Sequence, residues 1–293
     1  MLKKYRLKKR ALVLPLILIA LLYAVLHKQE PMTLTHSHYS TMLPDLTLPL
    51  QERLEARGVT KGDSVFIRIF KEEGVLELWM RPHRQANACP ATDAAGQPDD
   101  TTATNTTGQT GITPATAPTG QSSASSAEFR LFAVYPICAM SGTLGPKLKQ
   151  GDKQAPEGFY AVGLRQFNPN SRFHLSFNIG YPNSYDRAHG RTGDFIMVHG
   201  NCVSAGCFAM TDRYIEEIYG LAEAALLSGQ PFFRIHIFPF RLDRENLERH
   251  ADSVWAEFWQ MLKPGYDYFE QYKTPPDIIV RDKKYLLSGN SED

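Results

Sequence analysis

The chain has 293 residues and a formal net charge of +1, with 32 Lys and Arg against 31 Asp and Glu. This near-neutral balance argues against a protein that binds nucleic acid or another polyanion through its overall field. Hydrophobic residues make up 43% of the chain, enough for a sizeable core, and four cysteines are too few for the disulfide framework of a small secreted domain.

The first 26 residues predict export from the cytoplasm. Residues 1–10 carry six basic side chains, and residues 11–26 form an apolar run without charge, interrupted by Pro15. A basic segment before an apolar one is the layout of an export signal, and the basic side stays in the cytoplasm. No clear small-residue cleavage site follows. We therefore favour an inner-membrane anchor over a cleaved signal, with a periplasmic protein in either case.

Three segments with different patterns follow the anchor. Residues 27–63 are expected to form a polar linker that contains a short helical pattern ending near Gly58. A β-hairpin is predicted next, because apolar and polar residues alternate on both sides of a turn at residues 71–74. Residues 82–127 contain no Phe, Tyr or Trp and are rich in Thr, Ala, Gly, Ser and Pro. Such a composition cannot offset the entropy of ordering, so it predicts a disordered insertion between paired strands.

Strands and helices are predicted over the rest of the chain from the period of the apolar residues. The strands lie at residues 129–137, 158–164, 173–179, 194–198 and 232–238, and the helices at residues 212–227, 244–249 and 254–269. A polar turn is predicted at residues 168–171. Residues 180–193 are expected to form a long irregular loop, and such loops are often binding elements. His236 is interpreted as a core or edge residue with its hydrogen bonds satisfied.

The candidate site lies in residues 198–210, which read VHGNCVSAGCFAM. An apolar strand is expected to end at His199, and a short loop with Gly200 and Gly206 leads to Cys207, which we place near the start of a helix. Cysteine is nucleophilic as the thiolate, and a nearby imidazole commonly removes the thiol proton. Glycines permit the backbone angles that bring the two side chains together.

Other interpretations of this stretch stay open. In the first of these interpretations, Cys207 is a buried and unreactive thiol, as a lone cysteine usually is. A zinc site would use His199, Cys202 and Cys207, but a structural site needs four ligands, so we expect no metal and no cofactor. A Cys202–Cys207 disulfide would close a very small loop and give little stabilisation. Cys138 and Cys202 are either two thiols in the core or the two halves of a disulfide bridge, and the sequence does not decide between these.

From about residue 64 onward, the sequence resembles the L,D-transpeptidase (YkuD-domain) superfamily and is most similar to its YafK-type branch. The matching stretches occur in the order VFIRIFKEE, YPIC, SGTLGPKL, NPNSRFHLSFNIGYPNSYDRAHGRTG, VHGNCVSAGCFAMTD and HIFPFR. The resemblance implies a mostly β fold with helices (α+β), a β-sandwich-like catalytic domain over residues 64–286 with C-terminal helices.

The resemblance also implies roles for individual residues. Cys207 matches the nucleophile, His199 the general base, and Gly200 the orienting partner of that base, through its backbone carbonyl. Ala205 and Ala209 stand where the wider superfamily usually has a histidine and an arginine or asparagine. These departures resemble the YafK-type branch.

Further candidates come from the chemistry of the reaction. Backbone N–H groups around Gly206 are candidates for an oxyanion hole. Arginines suit substrate carboxylates, because a guanidinium donates two parallel hydrogen bonds. The candidates for substrate binding are Tyr181, Arg187, His189, Arg191, Ser204 and Gly206.

The function implied by the resemblance is that of a periplasmic cysteine enzyme that acts on peptidoglycan peptides through a thioester. The YafK-type branch points to hydrolysis of the bond between diaminopimelate and a lysine of the outer-membrane lipoprotein. The wider superfamily points to transpeptidation, which forms 3–3 cross-links or attaches the lipoprotein. A peptidoglycan-binding module without activity is the alternative outside the enzymes. Peptidoglycan, the lipoprotein and the inner membrane are thus the expected partners, and nucleic acid is not.

Overall fold

The computed structural model describes residues 46–83 and 128–289. These residues form two five-stranded sheets, a two-stranded sheet and five α-helices, so the predicted α+β class is confirmed. Within these two ranges no helix is both long and apolar enough to cross a membrane. The predicted anchor at residues 11–26 and nearly all of the predicted insertion lie outside the described residues.

Most of the strands precede the two longest helices, which lie in the second half of the chain. In chain order the helices are α1 (Leu50–Arg57), α2 (Ser184–Ala188), α3 (Asp212–Leu227), α4 (Arg244–Arg249) and α5 (Ala256–Tyr272), and the strands are β1 (Ser64–Phe70), β2 (Val75–Arg81), β3 (Arg130–Pro136), β4 (Ala139–Met140), β5 (Gly158–Val162), β6 (Phe167–Ser171), β7 (His174–Asn178), β8 (Met197–His199), β9 (Phe208–Ala209), β10 (Phe233–Phe238), β11 (Ile278–Arg281) and β12 (Lys284–Leu287).

The first sheet has the strand order β3–β2–β1–β10–β5. Strands β1 and β2 form the predicted antiparallel hairpin. Strands β2 and β3 also pair antiparallel, with Met80 opposite Arg130, as expected for two strands that flank an insertion. Strand β10 returns parallel to β1, so the middle of the sheet joins segments far apart in the chain.

Both faces of this first sheet are covered. Ile67 and its neighbours on one face of β1 belong to the large core that includes α3 and the second sheet. On the other face, Phe66 packs against Phe269 of α5, with ring centroids 4.7 Å apart. Because both faces are buried, β1 is buried along its whole length. Arg68 of β1 points to the α5 side, where a buried charge must be paired. It forms ion pairs with Glu77 at 2.8 Å and with Glu270 at 2.6 Å.

His236 of β10 lies in the core, as predicted, but without hydrogen bonds. Neither ring nitrogen has a hydrogen-bond partner among the described residues. The imidazole instead packs edge-on against Phe66 and Phe159, with ring centroids 4.7 and 4.8 Å away. Burial lowers the pKa of His236 well below its ordinary value, with Arg234 and Arg68 adding to the effect, so the ring is neutral.

The second sheet has the order β4–β9–β8–β7–β6 and carries the candidate site. The polar turn predicted at residues 168–171 is wrong, because Phe167–Ser171 forms edge strand β6, which pairs with β7. Its polar side chains are exposed on that edge, which explains why the sequence pattern resembled a turn. The strand predicted at residues 194–198 is shorter and later, since Phe195 has a left-handed backbone with φ of 54°.

Helix α3 has the predicted bounds and packs against β1, β7 and β8, which joins the two large sheets. Thr211 caps its N-terminus by accepting a hydrogen bond from the backbone N–H of Tyr214. The apolar side of the helix is buried through Ile215, Ile218, Leu221 and Ala222. The chain therefore leaves the candidate site directly into a helix that is anchored in the core.

Helix α1 corrects the expected boundary of the domain. It lies inside residues 27–63, the expected linker, and ends at Gly58, whose left-handed backbone closes the helix. Leu54 is buried in the core, and Arg53 forms an ion pair with Glu217 of α3. The packed domain therefore begins before residue 64, because this amphipathic helix completes the core beside β3.

Candidate active site

His199 ends strand β8, and Cys207 immediately precedes strand β9. The two strands are parallel, with Val198 opposite Phe208 and His199 opposite Ala209. Continuing this register by one residue places Cys207 beside Met197, and the backbone N–H of Met197 donates to the Cys207 Sγ at 3.4 Å. Because alternate side chains of a strand share a face, Cys207 and His199 are diagonal neighbours on one face of the sheet.

The connection between these strands is short and closely packed. Asn201 and Cys202 both have left-handed backbones, with φ of 65° and 37°. A Cβ on Gly200 would lie 2.6 Å from Oδ1 of Asp212 and 3.0 Å from the backbone oxygen of Phe173, so a larger residue would crowd this close approach. The Asn201 N–H donates to the same Asp212 oxygen, at 2.8 Å. As predicted, the strand ends at His199 and a helix begins at Asp212; Cys207 leads into the two-residue strand β9 just before that helix.

A disulfide between Cys138 and Cys202 ties this loop to the edge of the sheet. Cys138 precedes β4, and its backbone N–H donates to the carbonyl of Ala209 in β9 at 2.8 Å. The alternative Cys202–Cys207 disulfide is thus wrong, and Cys202 has no thiolate to offer a zinc ion. Of the cysteines that the structure describes, Cys207 alone is a free thiol.

His199 is almost completely buried, and its ring is held in one orientation. Its Nδ1 lies 2.6 Å from the carbonyl oxygen of Gly200. A carbonyl only accepts, so Nδ1 carries the hydrogen and Nε2 has a free lone pair. The ring also packs on Phe173, with centroids 4.8 Å apart. Burial lowers the pKa of His199, and the Gly200 carbonyl partly opposes this, so the imidazole is neutral near pH 7.

The Cys207 side chain is half-buried. Its Sγ lies 3.6 Å from the carbonyl oxygen of Phe195, in addition to the contact with Met197. Burial raises the pKa of the thiol, while the Met197 N–H and the charge of Lys147 oppose that shift. The resting site therefore contains a thiol and a neutral imidazole instead of an ion pair.

Two predicted site residues, Ser204 and Gly206, lie in the turn just before Cys207. The Ser204 hydroxyl donates to the carbonyl of Cys207 at 2.7 Å, which closes the turn. Gly206 is buried and has φ of 118°, a conformation that other residues rarely adopt. This turn sets the course of the backbone as it enters Cys207.

The other predicted site residues belong to residues 180–193, which are more ordered than expected because they contain α2. Arg191 is buried and forms an ion pair with buried Asp186 at 2.8 Å. Its guanidinium also lies over the ring of Tyr185 at 4.9 Å. The structure thus places Arg191 inside the fold, held by its own segment, and not as an exposed carboxylate clamp.

Three further candidates in this segment also contact its own backbone. The buried Tyr181 hydroxyl donates to the carbonyls of Lys147 and Thr192, at 3.2 and 3.3 Å. Arg187 is exposed and donates to the carbonyl of Pro182. His189 is exposed, with its ring on Tyr185 and its Nδ1 3.0 Å from the Tyr185 carbonyl. Arg187 and His189 thus remain accessible, whereas Tyr181 does not.

A cavity of about 220 Å³ lies beside His199, between the β6–β7 hairpin and the segment before β8. We call it the hairpin pocket. The lining residues that the sequence analysis missed come from both sides of the pocket: Asn168, Asn170, Ser171, Arg172, Phe173, Ser176, Phe195 and Met197. The hairpin residues were missed because their polar pattern indicated a turn. An arginine next to an aromatic residue in that pattern was the available signal.

Comparison with known proteins finds a family model and similar chains. Residues 125–269 match the model of the L,D-transpeptidase catalytic domain, YkuD. YafK of Escherichia coli (strain K12), an L,D-transpeptidase by provisional assignment, is 40% identical over 227 residues, which cover 78% of this chain and 75% of YafK.

The solved structures that match this chain are more distant in sequence. The helical cell shape determining protein Pgp2 of Campylobacter jejuni, in a single-residue variant, is 16% identical over 76% of this chain and 67% of its own, with a TM-score of 0.39. Bd1075 of Bdellovibrio bacteriovorus is 16% identical over 76% of this chain and 79% of its own, with a TM-score of 0.34.

Proposed function

The chain belongs to the L,D-transpeptidase (YkuD) family, in its YafK-type branch, and from this premise we propose that it is a cysteine enzyme of peptidoglycan peptides. The observation that carries the proposal is the position of one free thiol, Cys207, diagonal to the oriented imidazole of His199 on neighbouring parallel strands. The Gly200 carbonyl at 2.6 Å from Nδ1 leaves Nε2 as the base. The family supports the proposed substrate class, and this geometry supports the proposed residue roles.

The proposed reaction begins with the uncharged pair. His199 Nε2 takes the proton of the Cys207 thiol as Sγ bonds to the substrate carbonyl carbon. Backbone N–H groups at Gly206 and Cys207 stabilise the oxyanion. The carbon–nitrogen bond then breaks, and the proton on Nε2 passes to the leaving amine. These steps yield a thioester on Cys207 and a free amine, with no net oxidation or reduction.

We propose that water usually resolves this thioester. An amine acceptor must be held near the thioester carbonyl, and such positioning lowers the barrier by several kcal/mol. The positions that usually hold polar residues in the superfamily are Ala205 and Ala209 here, and Ala209 is fully buried in β9. Fewer polar groups near Cys207 are then available to hold a second peptide. Together with the similarity to YafK, this favours hydrolysis of the diaminopimelate–lysine link to the outer-membrane lipoprotein.

The test uses purified sacculi that carry covalently attached lipoprotein. We expect the exported part of the chain to release lipoprotein with a free lysine amine and to leave an unlinked muropeptide, both identified by mass spectrometry. Cys207→Ser is the matched inactive control. Mainly 3–3 dimers or newly attached lipoprotein would instead identify a transpeptidase. A protein that binds sacculi but forms no Cys207 adduct with a carbapenem would be a binding module.

We also propose that the enzyme works in the periplasm, held at the inner membrane by residues 1–26. The support is the run of six basic residues before an uncharged apolar segment. Fractionation of cells that express the full chain tests this. Membrane-bound protein that begins at Met1 is expected, whereas a soluble form that begins near residue 27 would indicate a cleaved signal.

A further inference from the structure

The hairpin pocket contains a cation that no other described group neutralises. Arg172 lines the pocket, is exposed, and has no hydrogen bond or ion pair with any other described residue. Arg191 and Arg187, in contrast, bind groups of their own segment. We propose that Arg172 determines specificity by binding a carboxylate at the end of a short aliphatic chain, next to the carbonyl that Cys207 attacks.

The pocket opens beside the nucleophile. Phe195 and Met197 line it together with His199. The same two residues contact the Cys207 Sγ, through the Met197 N–H at 3.4 Å and the Phe195 carbonyl at 3.6 Å. A substrate whose carbonyl lies at the thiol therefore has its adjacent side chain within reach of the pocket.

The walls of the pocket suit an aliphatic chain. Phe173 and Phe195 are exposed aromatic residues, with 36% and 70% of their surface accessible. Phe195 also has a left-handed backbone, which is rare for a bulky side chain and typical of functional sites. The volume of about 220 Å³ is below that of most pockets for drug-sized ligands. The pocket thus has room for one amino-acid side chain.

The charge of the pocket selects an anion. No acidic side chain is among its lining residues, whose other polar members are neutral amides and hydroxyls beside His199. A guanidinium that no described residue pairs with can donate two parallel hydrogen bonds to a carboxylate and binds an amide less well. Arg172 therefore favours a substrate with a free carboxylate over the same substrate with that group amidated.

This inference rests on the proposed function for its biological substrate and deepens it. Diaminopimelate carries a second carboxylate at the far end of an aliphatic side chain, away from the carbonyl that joins the lysine. The pocket and the thiol would contact these two ends of the same residue. Arg172 would thus identify the acyl donor.

The first test does not require peptidoglycan. Cys207 is alkylated with maleimidohexanoic acid and, separately, with its amide, and the rate at Cys207 is followed by peptide mapping. The quantity compared is the rate with the acid divided by the rate with the amide. We expect this ratio to be about three- to fivefold higher in the wild type than in Arg172→Ala. Arg172→Lys should keep part of the preference. Arg165→Ala is the control, since Arg165 is also exposed but does not line the pocket.

The second test uses lipoprotein-linked muropeptides with a free or an amidated diaminopimelate carboxylate. Arg172→Ala should raise KM for the free acid on the order of tenfold, with little change in kcat, and should abolish discrimination between the two substrates. An unchanged melting temperature excludes a folding defect. If Arg172→Ala and Arg165→Ala behave alike in both tests, the inference is wrong while the proposed function stands. A lost alkylation preference without muropeptide turnover in the wild type supports the carboxylate site and contradicts the proposed function.

Discussion

Cys207 and His199 illustrate how burial controls reactivity at the level of single residues. Removing water disfavours the charged form of each group, so the thiol pKa is raised and the imidazole pKa is lowered. Cysteine–histidine sites that rest as an ion pair have a thiol pKa far below its ordinary value. This site has the opposite arrangement, so the mechanism we propose removes the thiol proton during attack.

The first prediction concerns the pH dependence of Cys207 alkylation. Because the thiol pKa is raised from its ordinary value of 9.0, alkylation by iodoacetamide should be slow at neutral pH and reach half its maximum above pH 9.0. The rate is measured by mass spectrometry between neutral and strongly alkaline pH. A midpoint below pH 7 would show a preformed thiolate and contradict this description of the site.

The second prediction concerns His199. Replacing it with alanine removes the base, so the rate of Cys207 acylation by a carbapenem should fall about 10²- to 10⁴-fold. In the wild type this rate should decrease as the pH falls through the lowered pKa of His199, below its ordinary value of 6.5, because the protonated ring is no longer a base. His189→Ala should mainly weaken the use of peptide substrates. Equal acylation in His199→Ala and the wild type would remove His199 from the mechanism.

At the level of elements, the site depends on a connection that parallel strands seldom use. Parallel neighbours usually need a crossover of about a dozen residues or more. Strands β8 and β9 are joined by residues 200–207 alone. Left-handed backbone positions and a glycine at close quarters with Asp212 make this possible. The Cys138–Cys202 disulfide then ties the loop to the strand that pairs with β9.

The third prediction tests this disulfide with the double variant Cys138→Ser/Cys202→Ser. The two cysteines are 64 residues apart in sequence, for which the chain-entropy model gives a stabilisation of about 4 kcal/mol, at the upper end of the usual range. Urea unfolding should show that loss, and carbapenem acylation of Cys207 should slow as the loop loosens. Cys89→Ser is the control. Unchanged stability and acylation would mean that the loop holds its shape without the bridge.

At the level of the whole molecule, the catalytic fold is continuous across a long interruption in sequence. Strands β2 and β3 pair directly although residues 82–129 separate them in sequence. The two strands pair from Val75–Pro136 to Met80–Arg130, with one bulge between Leu78 and Trp79. The composition of that segment, which lacks Phe, Tyr and Trp over residues 82–127, gives it little to bury.

The fourth prediction is that deleting residues 91–126 changes the melting temperature of the exported domain very little. Shortening a loop between strands that already pair changes the closure entropy only slowly with length. Thermal unfolding and carbapenem acylation of the deletion variant are compared with those of the full exported domain. A large drop in melting temperature would show that the deleted segment packs against the domain.

The sequence by itself determined the elements whose patterns are local. The helical spacing of α3 and the alternation on both sides of the β1–β2 turn depend only on residues close together in the chain. The candidates Cys207 and His199 also came from one short stretch and a family resemblance. The tertiary structure alone decided the features that join distant segments: the bridge from Cys138 to Cys202 and the strand in place of a polar turn at residues 168–171. It likewise placed Arg191 in the interior and Arg172 at the pocket, because a side chain's partners depend on which segments pack around it, and sequence spacing carries no record of that.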